Sequence, residues 1–405
     1  MSSRVLILSW EYPPIVAGGL ARHVSKLSEA LVRAGVEVHV LTRGSGDMPA
    51  EQTIAGVVVH RVREDPMPRD LDAFVAWVEG MNSHMHAAGR RLGKRLAFDL
   101  VHGHDWLVAG AAASLAQRLR CPYLTTIHAT EYGRHQGWVD KHPQSYIHRI
   151  ETWMAGRADR VITCSHYMRG HVADVFGIDE ARVAVIPNGI DRGDLQPVDD
   201  LVALRARFAA PGERLVLLVG RLVYEKGFQL ALDALPQVIR RCDRTRFLVA
   251  GSGTHEAELR AQSTRLGLDG HGTFLGWIGD DMLHSLYRIA DLCVVPSIYE
   301  PFGLVALEAM ASGCPCIVAD TGGLREVVPN ADIGLRFRSR NPRALAAMMQ
   351  RLLDDDALRE RLVAEASAHV LRFDWNDIAR QTARVYAELG SGAATGGAAA
   401  TLRPA

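Results

Sequence analysis

The chain has 405 residues, a length that predicts two domains, or three, at about 100–200 residues each. Hydrophobic residues make up 48% of it, which is enough apolar material for two cores and speaks against global disorder. The chain has 46 Lys and Arg residues together and 46 Asp and Glu residues together, so its net charge is zero. This balance gives no support for a nucleic-acid partner.

The chain carries 6 cysteines, of which only Cys314 and Cys316 lie close together in sequence. A structural zinc site needs four protein ligands at a fixed spacing, so we interpret these thiols as small buried side chains. A long chain with few cysteines is typical of a reducing cytosol. The sequence shows no charged-then-apolar leader and no run of 18 apolar residues, so we expect a soluble, cytoplasmic protein.

Short apolar segments alternate with segments of helical periodicity through the first half of the chain. The pattern predicts strands at 5–8, 36–41, 57–62, 100–102, 123–127 and 160–163, and helices near 20–34, 72–96, 107–119 and 144–157. The strands are apolar on both faces, which is typical of a parallel sheet covered by helices. The alternation predicts a doubly wound α/β domain.

The same pattern restarts after a turn-rich break at 187–191. It predicts strands at 215–219, 247–250, 292–295 and 316–319, and helices near 227–241, 254–266, 303–312 and 342–353. We therefore predict two Rossmann-like domains, at 1–190 and 191–373, with a ligand bound between them at the carboxyl ends of the strands. The Gly/Ala-rich stretch 391–405 is expected to be a disordered tail.

Two loops that follow strands have residues suited to a phosphate. Gly18 and Gly19 precede a predicted helix, where free N–H groups attract anionic oxygens, although a plain tight turn would also need such glycines. Arg221 and Lys226 lie on the loop after strand 215–219, where two cations could hold a diphosphate and stabilise its departure. A solvated basic loop is the alternative interpretation of this second pair.

A third segment, 297–308, connects a strand to a helix and carries two carboxylates. Glu300 lies just before the helix, beside Pro301, Phe302 and Gly303, where a carboxylate without a partner would cost desolvation. Glu308 follows eight residues later, at most about 12 Å along the helix axis. The two could contact the sugar and the ribose of one nucleotide sugar, although a solvated helix face is an alternative for Glu308.

A fourth position, His128, ends the strand predicted at 123–127, where a functional histidine and a satisfied core histidine are both reasonable. Taken together, these motifs resemble GT-B-fold retaining glycosyltransferases of family four, in particular the bacterial glycogen-synthase-like α-glucosyltransferases. The resemblance extends from residue 5 to residue 385. Starch and glycogen synthases of the related fifth family have a Lys before the paired glycines, where this chain has Val16 and Ala17, so the pattern favours family four.

The resemblance implies a role for each matching position. Gly18 and Gly19 would offer backbone to the pyrophosphate or the sugar. Arg221 and Lys226 would bind the diphosphate and stabilise the leaving group, and Glu300 would hold hydroxyls of the donor hexose. The remaining positions that the resemblance assigns to the donor are Trp277, Ile278, Phe302, Gly303, Leu304 and Glu308.

Among these positions, Gly303 and Leu304 would donate N–H groups to phosphate or sugar oxygens, and Glu308 would bind the ribose. The loop at Trp277 and Ile278 would meet the base through its backbone. His128 would lie near the anomeric carbon and the 6-hydroxyl of the sugar. A final helix at 374–390 would cross back to pack on the first domain.

The predicted reaction is therefore transfer of glucose, with retention, from UDP- or ADP-glucose to an α-glucan or glucoside, forming α-1,4 linkages. The segment 128–138 resembles glucan-elongating relatives. We expect no cofactor and no metal, because the Asp-x-Asp match Asp70-Leu71-Asp72 opens a predicted helix, where acidic residues complement the helix dipole. A hexosyl- or mannosyltransferase acting on a glycolipid or small molecule is the alternative.

Other classes fit the sequence less well. A nicotinamide dehydrogenase would need Gly-x-Gly-x-x-Gly after the first strand, where this chain has residues 9–14 without glycine. A nucleotide-sugar epimerase would convert the donor without an acceptor, and a non-catalytic sugar-binding protein would not need both cations and both carboxylates. The basic stretch 90–96 could contact anionic lipid, but we interpret it as a solvated helix face.

Overall fold

Apolar strands buried on both faces form the centre of the N-terminal half of the protein. A computed structural model describes residues 3–16, 18–64, 66–68 and 70–396, with the side chains of Leu71 and of 391–396 left undescribed. The strands of this half are β1 (Arg4–Leu8), β2 (Glu37–Gly44), β3 (Glu51–Ile54), β4 (Val57–Arg63), β5 (Leu100–His104), β6 (Tyr123–Ile127), β7 (Arg160–Thr163) and β8 (Val183–Val185).

These strands form one sheet in the order β3-β4-β2-β1-β5-β6-β7-β8. Neighbouring strands are parallel except β3 and β4, which pair antiparallel with Glu51 opposite His60. The chain leaves β1 toward β2 on one side and later returns to β5 on the other, with Val5 opposite both Val38 and Leu100. The order of the strands therefore reverses at β1 and β5, which is where ligands bind in open α/β sheets.

Helices cover both faces of this sheet, as continuous apolar strands require. They are α1 (Gly19–Arg33), α2 (Leu71–Leu92), α3 (Ala109–Leu119), α4 (Glu131–Arg134), α5 (Gln144–Arg157) and α6 (His166–Phe176). Helix α2 begins at Asp70, whose carboxylate accepts a hydrogen bond from the backbone N–H of Ala73 at 2.8 Å. A carboxylate oxygen of Asp72 lies 2.9 Å from Nε2 of His142. The Asp-x-Asp match is thus the start of a helix, as its acidic composition predicts.

The second sheet contains β9 (Arg214–Val219), β10 (Thr245–Ala250), β11 (Gly272–Gly276), β12 (Leu292–Val295), β13 (Cys316–Ala319) and β14 (Leu335–Phe337). All pairs are parallel, and the order is β11-β10-β9-β12-β13-β14. This order is that of the dinucleotide-binding Rossmann fold, and it reverses between β9 and β12. The helices around it are α7 (Leu201–Ala206), α8 (Phe228–Arg241), α9 (Glu256–Arg265), α10 (Asp280–Ile289), α11 (Leu304–Ala311), α12 (Leu324–Val327), α13 (Pro342–Asp354) and α14 (Asp356–His369).

The last helix, α15 (Trp375–Gly396), belongs to the N-terminal unit although it follows the second sheet in sequence. The two compact units are the chain up to Gly189 together with this helix, and Ile190–Asp374. Trp375 and Tyr386 are buried in the same apolar core as β1 and α1. The Tyr386 hydroxyl also hydrogen-bonds the Nδ1 atom of buried His102 at 2.8 Å, which ties the helix to β5.

The predicted architecture of two Rossmann-like parallel-sheet domains with a C-terminal helix is confirmed. The apolar patterns missed the short strands β3, β8, β11 and β14, and helix α2 ends at Leu92 rather than near 96. The sequence predicted a disordered tail at 391–405. Residues 391–396 instead continue helix α15, so that part of the prediction is wrong, and residues 397–405 lie outside the described residues.

All six cysteines are free thiols, and Cys164, Cys293, Cys314 and Cys316 are buried, in agreement with their interpretation as small core side chains. Burial raises the pKa of the Cys314 thiol well above its ordinary value. Within the described part of the chain, no helix is both long and apolar enough to cross a membrane.

Candidate functional site

The loop after β9 carries both of the predicted phosphate-binding cations, and its backbone path depends on glycine. Gly220 and Gly251 both have positive φ angles, +144° and +135°. A Cβ atom on Gly251 would lie only 1.9 Å from the carbonyl oxygen of Gly220. Leu222 donates its N–H to the carbonyl oxygen of Ser252 at 2.9 Å. The loop after β9 is therefore fixed against the loop after β10 by backbone contact.

The same loop is also fixed against the loop after β12, on the other side of β9. Gly227 has a φ of +73°, and a Cβ atom there would lie 2.0 Å from the carbonyl oxygen of Pro296. Ile298 donates its N–H to the carbonyl oxygen of Glu225 at 2.8 Å. Since β9 and β12 are the strands at which the sheet order reverses, these two loops meet at the expected ligand-binding position.

An ion pair joins the two loops. The ammonium Nζ of Lys226 lies 2.8 Å from Oε2 of Glu300, and the Ser297 hydroxyl donates to the same oxygen at 3.0 Å. The side chain of Glu300 is 9% exposed and that of Lys226 is 22% exposed. A buried carboxylate is expensive without such partners, so the pair stabilises the loop conformation. An ammonium has three N–H donors, and an anionic ligand could use those that Glu300 does not engage.

Helix α11 begins directly after this pair. Its N-terminal capping residue is Gly303, whose φ of +120° is available to glycine, and a Cβ atom there would lie 2.7 Å from Leu324 Cδ2. Leu304 is the first helical residue, and Phe302 is buried. Helix N-termini carry partial positive charge and free N–H groups, so this end of α11 suits an anion. It lies beside the carbonyl of Glu300, which accepts a hydrogen bond from Gly323 N–H at 2.9 Å.

The other predicted donor-site residues of this unit lie on more open positions. Glu308 is half-buried about one turn into α11, and its Oε2 accepts a hydrogen bond from the buried Tyr287 hydroxyl at 3.1 Å. Arg221 is 59% exposed, with its guanidinium 3.8 Å from Glu225. Trp277 is 79% exposed and Ile278 is half-buried, just after β11. The fold thus joins Lys226 to Glu300 and leaves Arg221 and Trp277 accessible.

In the N-terminal unit, His128 lies just past the end of β6, as predicted, and contacts residues that follow β5. Its backbone N–H donates to Oδ1 of Asp105 at 2.8 Å, and its Nε2 atom lies 3.1 Å from Nδ1 of His104. Asp105 has a φ of +60°, an uncommon conformation that often marks functional sites. Gly19 begins helix α1, and Gly18 precedes it in an extended conformation.

The histidines around His128 are held neutral by burial. Loss of water contact, more than the nearby Arg134 guanidinium, lowers the pKa of His128 to about 4. The same cause lowers the pKa of His102 to about 3 and raises the pKa of Asp105 to about 6. Neutral imidazoles can accept a proton, donate a hydrogen bond or bind a metal ion. His128 is therefore suited to contact a neutral polar group such as a sugar hydroxyl.

A second buried carboxyl, that of Glu151 on α5, supports the segment after His128. Both of its oxygens accept from the backbone N–H of Glu131, at 3.0 and 2.9 Å. Loss of water contact is the main cause that raises the pKa of Glu151 to about 8, against the opposing effect of Arg134. Glu131 itself begins helix α4, and its Oε1 lies 3.1 Å from Nε2 of His135. This support fixes the first turn of α4, three residues after His128.

Several of these residues were missed from sequence. His104 ends β5 and Asp105 follows it directly, so the strand-end rule that selected His128 would have found both. Ser297 lies within the segment singled out for its carboxylates, but its hydroxyl has no separate signal. Glu151 lies mid-helix, where a solvated side chain is the ordinary expectation, and only the packing shows that it is buried.

Comparison with known proteins establishes the family. Residues 17–193 match Glycosyltransferase Family 4, and residues 203–369 match Glycosyl transferases group 1. The chain is 40% identical over 401 residues to the glycogen synthase of Mycobacterium tuberculosis, covering 95% of this chain and 94% of that protein. The chain therefore belongs to the family 4 glycosyltransferases and is a hexosyltransferase with the GT-B fold.

Two further similarities show how broad this family is. The chain is 32% identical over 419 residues to the D-inositol 3-phosphate glycosyltransferase of Kineococcus radiotolerans, covering 95% of this chain and 94% of that one. The solved structure of sucrose-phosphate synthase from Thermosynechococcus elongatus superposes with a TM-score of 0.81 at 27% identity, covering 96% and 100% of the two chains. These proteins are named for different products, so family membership alone leaves the acceptor open.

The raised pKa of Glu151 predicts a stability that depends on pH. Between about pH 4.5 and 8 the carboxyl ionises in the unfolded chain but stays protonated in the folded one. The unfolded state then binds fewer protons, so the free energy of unfolding falls as pH rises through this window, by roughly 3–5 kcal/mol. Glu151→Gln keeps an acceptor oxygen and should remove this fall. Urea unfolding at pH 5 and pH 8 measures it.

The control for that measurement is Glu180→Gln, which changes an exposed carboxylate in the same unit. This variant should keep the pH dependence of the wild-type protein. An equal loss of stability between pH 5 and 8 in wild type and Glu151→Gln would show that Glu151 ionises normally in the folded state.

Proposed function

We propose that this hexosyltransferase transfers glucose, with retention of configuration, from a nucleotide-diphosphate glucose to an α-glucan or glucoside, forming α-1,4 linkages. The observation that carries the proposal is the pair formed by Lys226 and the buried Glu300 at the point where the second sheet reverses its strand order, next to the N-terminus of α11. It occurs in a chain 40% identical to a glycogen synthase. A cation, a carboxylate and a helix N-terminus together suit a sugar linked to a diphosphate.

We assign the diphosphate to the cationic side of this arrangement. Lys226 and the N–H groups of Gly303 and Leu304 would bind its oxygens, and Arg221, which is exposed, would add a second cation. These fixed charges stabilise the negative charge that develops on the leaving group. The carboxylate of Glu308 would accept hydrogen bonds from the ribose, and the backbone at Trp277 and Ile278 would meet the base.

The sugar is assigned to Glu300 and His128. When the donor binds, the hydroxyls of its hexose would donate hydrogen bonds to the Glu300 carboxylate. Lys226 and Ser297 hold this carboxylate in place. His128, neutral at physiological pH, would contact the reacting sugar, and the backbone of Gly18 and Gly19 would approach the pyrophosphate or the sugar. The leaving diphosphate would itself help to deprotonate the incoming hydroxyl on the same face, which accounts for retention.

A second acceptor class is supported by the relative named for D-inositol 3-phosphate, at 32% identity. In that case the donor site and the chemistry are unchanged, and a small polar or glycolipid molecule takes the place of the glucan. The donor could then carry another hexose, such as mannose. Acceptor trials distinguish the two, since the donor-binding residues are common to both.

The direct test is a screen of UDP-, ADP- and GDP-sugars for donor hydrolysis, followed by trials with maltooligosaccharides, glycogen and inositol phosphates. We expect UDP- or ADP-glucose to be used and maltooligosaccharides to be extended. NMR of the first new linkage should show an α-1,4 bond. A β linkage would contradict retention, and glucosylation of inositol phosphate alone would favour the second acceptor class.

The role of Glu300 predicts a loss of turnover. Glu300→Gln removes the charge that pairs with Lys226 and replaces one carboxylate oxygen with an NH₂ donor, leaving a single weaker acceptor for sugar hydroxyls, so turnover at saturating donor should fall by about two to three decades. Glu258→Gln, an exposed carboxylate of the same unit, is the control and should retain wild-type turnover. Thermal unfolding checks that both variants fold. Turnover near wild type in Glu300→Gln would rule out its contact with the donor sugar.

The charges at this site predict that no divalent metal is needed for transfer. Turnover should persist in excess EDTA, because Lys226, Arg221 and the α11 N-terminus supply the positive charge that a metal would supply. Arg221→Ala should lower turnover by about a hundredfold. Arg241→Ala, 64% exposed in the same unit, is the matched control and should not. Loss of activity in EDTA with recovery on adding magnesium or manganese would contradict the proposal.

A further inference from the structure

Three histidines from separate elements converge in the N-terminal unit. His23 lies on α1, His104 ends β5, and His128 follows β6. The ring centroids are 4.5 Å apart for His23 and His128, 5.4 Å for His104 and His128, and 5.6 Å for His23 and His104. One ring nitrogen from each lies within 4.8 Å of those from the other two.

Hydrogen bonding within the fold does not account for all of these ring nitrogens. Nδ1 of His104 and Nε2 of His128 are 3.1 Å apart and share one hydrogen bond. Within the described part of the chain, however, Nδ1 of His23 and Nε2 of His104 are buried without a hydrogen-bond partner. His104 is fully buried and His23 is 8% exposed. Buried polar atoms are nearly always paired, so these two ring nitrogens, which lie in a cluster of three histidines, are available to bind a ligand.

We propose that His23, His104 and His128 form a binding site for a divalent transition-metal ion of the zinc class. Neutral imidazole nitrogens are preferred ligands of Zn²⁺, Co²⁺, Ni²⁺ and Cu²⁺, whereas Mg²⁺ and Ca²⁺ require oxygen ligands. Three histidines are a sufficient protein ligand set for Zn²⁺, with a fourth position open to water or another group.

The spacing is close to what such an ion needs. Zn–N bonds of about 2.0–2.1 Å in a tetrahedral site place the nitrogens about 3.3 Å apart. The three ring nitrogens, which lie within 4.8 Å of one another, would reach this spacing by small rotations of the side chains. Asp105 supports the site, since its carboxylate accepts the backbone N–H of His128 at 2.8 Å and adds a negative charge beside the ligands.

The ion would inhibit transfer rather than assist it, an inference that rests on the proposed function. His128 is assigned there to the reacting sugar, and a metal ion bound to its ring would remove it from that role. Inhibition by Zn²⁺ and activity in EDTA are therefore compatible. The binding itself does not depend on that assignment and is measured without turnover.

The test is a titration of metal-free protein with Co²⁺, followed by its visible d–d absorption, and with Zn²⁺ against a chromophoric chelator. Wild-type protein should bind one equivalent, and Mg²⁺ should neither bind nor displace it. His23→Gln and His104→Gln should each weaken the affinity about a hundredfold or more. His60→Gln is the matched control, since His60 is also buried and lies 3.0 Å from another histidine, His39.

X-ray absorption at the zinc edge on the wild-type protein adds a measurement that needs no variant. It should show three imidazole ligands. The proposal is overturned if folded wild-type protein binds no Zn²⁺ or Co²⁺ at equimolar concentration, if the ion has fewer than two imidazole ligands, or if His23→Gln and His104→Gln both bind as tightly as His60→Gln. If metal-free protein transfers no sugar but still binds zinc when zinc is added, the proposed function is refuted and this site stands.

Discussion

A buried carboxylate needs a fixed positive partner, and much of the second unit is arranged to give one to Glu300. Lys226 reaches it because Gly227 turns the loop after β9 so tightly that a Cβ atom would collide with the carbonyl of Pro296. The Ser297 hydroxyl shares the same carboxylate oxygen. The Lys226–Glu300 ion pair, the positive φ angle of Gly227 and the contact between the loops after β9 and β12 therefore act together. Each of these three features helps to hold the other two in place.

The same arrangement of strands positions both sites. In each sheet the chain builds outward from one central strand and then returns to its other side, so the loops after β1 and β5, and those after β9 and β12, begin side by side. The space between two such loops can become a binding site without an insertion or an extra domain. Chemistry-bearing residues need only occur at the ends of those strands or in the loops that follow them, as His104 does at β5 and Glu300 does after β12.

This regularity explains what the sequence could and could not predict. The long apolar strands were predicted correctly, and His128 lies just past the end of its strand as predicted, because alternation along the chain determines both positions. The contact between Lys226 and Glu300 was not predicted, since it depends on which strands are neighbours in space. His23 was missed because it lies on a helix, where position along the chain does not reveal which face is buried. Short strands such as β8 carry too few residues to show a period.

The two cations of the second unit differ in a way that bears on rates. The charge of Lys226 is compensated by Glu300 at 2.8 Å, so at a distance the pair is close to neutral. The chain as a whole also has no net charge. Exposed groups such as Arg221 then supply the long-range attraction of an anionic donor, and dissolved salt screens this attraction. On the proposed function, ionic strength would act mainly on the association rate through Arg221, while Lys226, in contact with the bound diphosphate, would set how slowly it leaves.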